Sequence, residues 1–165
     1  MPDLLTHVLV GYILGTLFAR RVSGKPAATT TVVMLGALLP DLTKIQIVVP
    51  SSRMEVLLGV PFAWHTLHTL GGVLLTAGIG ALLVNPTNRR RVLGLLLAGA
   101  TSHLVLDSFL LKPSGYASPM WWPFITTGLP TPGLYVSYDW WPTLVAGVLA
   151  LIVFLRTSQR ISEHQ

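Results

Sequence analysis

Five apolar stretches, at residues 4–19, 27–42, 66–84, 92–111 and 140–155, alternate with short loops that hold most of the basic residues of this chain. That pattern leaves few solutions, because helices this apolar have little polar face to turn toward water. Charged residues make up 10% of the 165 residues and hydrophobic ones 52%, against about 25% charged in soluble domains. The mean hydropathy is +0.65. The pattern predicts an all-α fold, a polytopic transmembrane helical bundle of about five spans forming a single integral membrane domain over residues 1–165. A span needs about 20 apolar residues, and the first, second and fifth stretches fall slightly short, which predicts a thin or partly sunken bundle. Pro40 and Pro61 punctuate the chain after the second span and before the third, and Asn85-Pro86-Thr87-Asn88 is a turn signal between the third and fourth.

Residues 112–139 are too polar and too rich in proline and glycine to span. They carry Trp121, Trp122, Tyr135 and Tyr138, with Trp140 and Trp141 opening the last helix. Such rings favour the membrane–water boundary, so this segment is expected to be one long interfacial loop.

The bases set the orientation. Arg20, Arg21, Lys25, Arg89, Arg90, Arg91, Arg156 and Arg160 fall on one side of the predicted bundle, and only Lys44, Arg53 and Lys112 on the other. The positive-inside rule makes the first side cytoplasmic, with the N-terminus outside and the C-terminus inside a cell (inner or plasma) membrane. The net charge of +5 is therefore spent on topology and gives no nucleic-acid patch. Met1-Pro2-Asp3 lacks the positive start of a secretory signal, so the first stretch is expected to remain as a helix. There is no cysteine, which excludes disulfides and thiolate metal sites.

Against this background six ionisable residues stand out inside or at the ends of the apolar stretches: His7, Asp41, His65, His68, His103 and Asp107. Ionisable groups at membrane depth are costly and mark functional sites by default. The topology places all six at the outer face. His103 and Asp107 are i,i+4 and share a helical face, and His65 and His68, at i,i+3, share one if the third helix begins by residue 65. Imidazole nitrogens and carboxylate oxygens are the usual ligands of zinc and other first-row divalent metals. The bland readings are a capping or interfacial role for each histidine and a helix cap or turn for Asp41. Asp107 resists them, since a carboxylate within a span needs a partner.

Other features read as structural. Gly11 and Gly15 have the small-xxx-small spacing that allows close helix packing, and Gly71, Gly72, Gly78 and Gly80 read the same way. Ser102 is adjacent to His103, but neighbouring helical residues point in different directions. Arg89-Arg90-Arg91 is a topology determinant, with anionic-lipid contact a secondary role.

Thr6-His7, Leu38-Leu39-Pro40-Asp41-Leu42, His65-Thr66-Leu67-His68-Thr69-Leu70 and Ser102-His103-Leu104-Val105-Leu106-Asp107, in that order, resemble the YdjM-like family of predicted membrane-bound metal-dependent hydrolases. Pro113, Gly115, Pro119, Trp122 and Pro123 are similar to a Pro-Gly-Pro-Trp-Pro pattern in that family, so the resemblance covers about residues 5–125. It implies a His/Asp metal centre at His7, Asp41, His68, His103 and Asp107 and a hydrolytic reaction. The chain departs from the family at Thr43, where many relatives have a second acid, and at Ala63-Trp64-His65, where many have a His-Arg-Gly run.

The reading is then a membrane-embedded hydrolase acting on a lipid or lipid-linked ester or phosphoester. Its cofactor is a divalent metal, zinc by choice of ligand, with His68, His103 and Asp107 as the ligand core and His7, Asp41 and His65 as further candidates. Asp41 or Asp107 would accept a proton from the attacking water. The lipid bilayer is the expected partner. Two alternatives use the same residues: a divalent-metal or proton translocation site, and a metal-stabilised scaffold without catalysis.

Overall fold

The computed structural model describes residues 4–21 and 25–162, with side chains as far as Gln159. Met1-Pro2-Asp3 and the side chain of Arg160, used above to read processing and topology, lie outside the described residues. The α-helices are α1 (Leu4–Ala19), α2 (Pro26–Leu38), α3 (Ser51–Leu58), α4 (Leu70–Leu82), α5 (Arg89–Ser108) and α6 (Trp141–Ser162). No strand forms among the described residues, where two isolated bridges, Leu110 with Tyr135 and Tyr116 with Pro130, tie the 112–139 loop together.

Local chemistry explains the boundaries that differ from expectation. The helix expected to reach residue 42 leaves the α form at Leu38, because Pro40 cannot donate to the helical ladder, and the chain tightens into a 3₁₀ helix over Leu39–Ile47. Pro50 then starts α3, a short helix not foreseen between the second and third stretches, and Gly59 ends it in the left-handed conformation at φ 68°. The third long helix begins at Leu70, later than expected. Thr69 caps it by accepting a hydrogen bond from the Gly72 N–H at 3.1 Å. His65 and His68 therefore lie in a separate 3₁₀ turn, Trp64–His68, outside α4.

At 1.5 Å per residue α1 and α4 are roughly 24 and 20 Å long, short of a hydrocarbon core of about 30 Å. Among the described residues, only α6 is by itself long and apolar enough to cross, through Trp141–Gln159. Pro26–Ile47 and Ser51–Leu58, bent by 87°, make a second candidate if they are counted as one broken span. Five spans are thus not established by helix length. α5 has the length, but its three arginines with His103 and Asp107 dilute the apolar run.

The directions of the long helices follow from specific contacts. Gly11 and Gly15 let α1 lie against the α2 backbone at Met34 and Thr30, so the small-xxx-small expectation is met there. A Cβ at Gly15 would stand 2.7 Å from the Thr30 Cα. α2 and α5 cross at equally close quarters, with Gly36 against the Leu96 carbonyl and Gly99 against the Val33 carbonyl. Arg91 donates to the Thr29 hydroxyl at 2.6 Å near one end of this pair, and His103 meets the Ala37 carbonyl near the other, so the two helices run parallel. α1 and α6 are also parallel: Thr6 and Thr143 hydroxyls meet at 2.6 Å, and Arg20 donates to the Thr157 hydroxyl at 3.2 Å. Val73 of α4 packs with Ala100 and Leu104 of α5 around Met120 of the loop. In α4 only part of the glycine expectation holds, since Gly71 lies against Trp122, Gly72 against Thr66 and Gly80 against Leu96, while a Cβ at Gly78 would meet open space.

The 112–139 loop has no helix, as expected, yet it is tied down. The Leu70 and Gly71 N–H groups, left free at the start of α4, donate to the Met120 and Trp122 carbonyls at 2.7 and 2.8 Å. Tyr135, expected at the interface, is buried instead and its hydroxyl donates to the Leu106 carbonyl. Burial, with the Asp107 carboxylate nearby, raises its pKa above the usual phenol value.

Candidate metal centre

One end of the bundle gathers five of the six singled-out residues. α1 brings His7 at its start, the 3₁₀ segment after α2 brings Asp41, the turn before α4 brings His68, and the last turns of α5 bring His103 and Asp107. The close crossings of α1 with α2 and of α2 with α5 set these distances, because glycine lets the backbones approach. His7 and His103 are fully buried, and Asp107 and Asp41 nearly so.

Asp107 is the hub. Its Oδ2 is 2.7 Å from His68 Nε2 and 3.6 Å from His103 Nε2, and its Oδ1 is 3.5 Å from His7 Nε2. The His7 and His103 rings stack with centroids 3.6 Å apart, and His68 meets His103 edge-on at 5.1 Å. Two sets of donor atoms each close within 4.8 Å: His7, His103 and Asp107, and Asp41, His68 and His103. These buried groups have the composition and spacing to hold a metal ion.

The hydrogen bonds outside the cluster fix which nitrogens point inward. His103 Nδ1 is 2.7 Å from the Ala37 carbonyl, and His68 Nδ1 is 3.2 Å from the Pro40 carbonyl. A carbonyl only accepts, so each Nδ1 carries the proton and, in a neutral ring, each Nε2 is a lone pair directed into the cluster. Backbone carbonyls commonly hold metal-ligating histidines in this way. His68 is then placed between two acceptors, the Pro40 carbonyl and the Asp107 carboxylate, while a neutral imidazole has one N–H to give. The second acceptor requires either another proton or a cation.

Every buried side-chain nitrogen or oxygen without a hydrogen-bond partner among the described residues belongs to this cluster: His7 Nδ1 and Nε2, Asp41 Oδ1, His103 Nε2 and Asp107 Oδ1. Each such orphan costs about 1–3 kcal/mol, and a divalent ion would take a lone pair from one His7 nitrogen, from His103 Nε2 and from Asp107 Oδ1. The residues fit the group.

Two elements of the arrangement were not legible in the sequence. Lys44 donates to Asp41 Oδ2 at 3.0 Å, whereas its position suggested only a topology charge. The Ala37 and Pro40 carbonyls are backbone atoms that no residue type announces. His65 is exposed and belongs to neither donor set. Thr43 is buried and its hydroxyl donates to the Pro40 carbonyl at 3.2 Å. Ser102 donates to the Gly99 carbonyl at 2.6 Å, which agrees with its reading as structural.

The chain matches the family model described as YdjM inner membrane protein over residues 1–164, and it belongs to that family. No curated protein and no solved structure matches it. Membership associates the chain with the lipid bilayer of the inner membrane.

Proposed function

We propose that this member of the YdjM inner membrane family is a zinc-dependent hydrolase of a lipid or lipid-linked ester or phosphoester, with its site at the extracytoplasmic face. The observation that carries the reading is His68, set between the Pro40 carbonyl and the Asp107 carboxylate with one N–H for two acceptors. Zinc is chosen from the donor set of imidazoles and carboxylates. When bound, such an ion supplies Lewis acidity and an acidified water.

The chain's own residues do the rest. His103 and His68 are pinned by backbone carbonyls, so their Nε2 atoms keep one direction, and Asp107 and His7 complete the holding set. Asp41 has Oδ2 fixed by Lys44 and Oδ1 without a partner, which suits it to accept a proton from an attacking water. Below the cluster the glycine crossings bring helix backbones together. That close packing favours a site open at one end over a path through the bundle.

The membrane placement is part of the same proposal: five spans, the N-terminus outside, the C-terminus in the cytoplasm. Arg20, Arg21, Lys25 and Arg89 to Arg91 all lie at the helix ends remote from the cluster, in support of a cytoplasmic position for that end.

Purification in detergent followed by elemental analysis of wild type, His103→Ala and Asp107→Ala tests the reading. Wild type should carry zinc and hydrolyse a lipid ester or phosphoester in a chelator-sensitive way, and both variants should lose the metal. A wild type with no transition metal above background overturns the proposal. Metal without turnover on phosphatase and lipase panels overturns its hydrolytic half. Impermeant labelling of a cysteine placed at Ser114 should succeed from outside intact cells, and labelling only from the cytoplasm overturns the orientation.

A further inference from the structure

A cavity of about 460 Å³ leads from Asp107 and His68 past His65 and Gln46 to Lys112 and Ser118. Its volume lies in the range of small-molecule sites, about 300–1,000 Å³. The inner wall belongs to the cluster and the outer wall to the 112–139 loop. That outer wall is held in place by Leu111 N–H to the Tyr135 carbonyl at 2.7 Å, and by Ala117 N–H to the Leu129 carbonyl at 2.8 Å.

The charges along this cavity are unbalanced. Asp41 is paired with Lys44, and Asp107 faces three imidazoles. Lys112 is half-buried and has no carboxylate partner among the described residues; one of its three donors goes to the Ser118 hydroxyl at 2.6 Å. With a divalent ion set against Asp107, the cavity carries one surplus positive charge at its inner end and another at Lys112. A carboxylic ester is neutral and would leave the Lys112 ammonium facing an uncharged group. A phosphoryl group brings one or two negative charges and several acceptor oxygens, which suit the ammonium of Lys112.

Resting on the hydrolase reading above, we propose that the substrate is a phosphoester and that Lys112 is the residue that binds its phosphoryl oxygens. In the reaction water adds its oxygen to phosphorus, the bond from phosphorus to the leaving alcohol oxygen breaks, and one water proton ends on that oxygen. Lys112 forms no bond; it selects the charged ester over the neutral one.

The test uses the full chain in detergent, loaded with zinc, as wild type, Lys112→Gln and Lys112→Arg, with zinc content and monodispersity measured for each. Inorganic phosphate titrated by calorimetry should bind wild type and Lys112→Arg, and Lys112→Gln about tenfold or more weakly at unchanged zinc content. A short-chain phosphatidate and glycerol phosphate separate the two sources of the phosphoryl group: turnover of the lipid alone assigns a headgroup, turnover of both a free phosphoester, and either supports the proposal. KM for the phosphoester should rise in Lys112→Gln and return toward the wild-type value in Lys112→Arg. Zinc-loaded wild type that ignores phosphate, or that prefers the neutral ester with no effect of Lys112→Gln, overturns this inference and leaves the hydrolase reading standing. Wild type that binds no zinc overturns both.

Discussion

His68 Nε2 stands 2.7 Å from Asp107 Oδ2, across a sequence separation of 39 residues, while its Nδ1 faces the Pro40 carbonyl. Three segments therefore converge on one ring: the 3₁₀ stretch after α2, the turn before α4 and the end of α5. Neither hydrogen bond alone says much. Both together define a ring that is oriented before anything binds.

The two histidines of the 64–68 turn should behave differently. His68→Ala removes a ring in contact with Asp107, and zinc affinity should fall about 10–100-fold or more, since even the groups that only orient ligands are worth that much. His65→Ala should leave metal content at the wild-type level, because the exposed ring is in neither donor set. Elemental analysis of the two purified variants checks this, and equal losses would put His65 back in the site.

Helix crossings set the cluster, so a glycine at a crossing should matter more than one that faces open space. Gly99→Leu pushes against the Val33 carbonyl and separates α5 from α2. It should destabilise by about 1–3 kcal/mol or more and lower zinc affinity by moving His103 from the Ala37 carbonyl. Gly94→Ala and Gly147→Ala, where an added Cβ meets nothing, should be neutral or gain about 0.5–1 kcal/mol from helix propensity. Thermal unfolding in detergent with metal titration distinguishes them.

Tyr135 gives a sign to the alkaline limb of stability. Its native pKa is raised by burial and by the Asp107 charge, whereas the unfolded phenol ionises near pH 10. Below that value both states hold the proton and the contribution is constant. Above it the unfolded state releases a proton that the native state keeps, so stability falls with rising pH. Tyr135→Phe should cost about 1 kcal/mol at neutral pH through the lost bond to the Leu106 carbonyl and should flatten the loss above about pH 10. Denaturation followed between neutral and alkaline pH reads both effects.

The parallel pairing of α1 with α6 is open to a direct check, since the chain has no cysteine of its own. Thr6→Cys with Thr143→Cys should cross-link on mild oxidation, because the two hydroxyls are 2.6 Å apart. Thr6→Cys with Thr157→Cys should not, since Thr157 lies beside Arg20 at the opposite end. A cross-link only in the second pair would mean that α6 runs the other way.

Much of this was written in residue order. α1 appears over the predicted 4–19, and the polar loop at 112–139 has no helix. Five of the six ionisable residues meet, because groups that water would normally solvate must find one another when the surroundings are apolar. What escaped reading was local. Pro40 converts the end of α2 to 3₁₀ geometry, and Thr69 delays α4, so His65 and His68 fall in a turn where one ring turns inward and the other stays exposed. Spacing alone could not separate them. α3 was missed because Ser51, Ser52, Arg53 and Glu55 break the apolar pattern, and it buries no residue of its own. Tyr135 looked interfacial by type, but the partner that draws it inward is a backbone carbonyl at Leu106, invisible to composition.

α6 packs chiefly along α1, most of its surface is exposed, and it begins only at Trp141. Every donor of the cluster lies between residues 7 and 107, and the loop wall with Lys112 ends before α6 starts. In the order of synthesis, then, every candidate donor precedes the one helix among the described residues that is by itself long and apolar enough to cross a membrane. α6 lies beside α1 and adds no donor to either set, so the geometry of the cluster rests on the segments made before it.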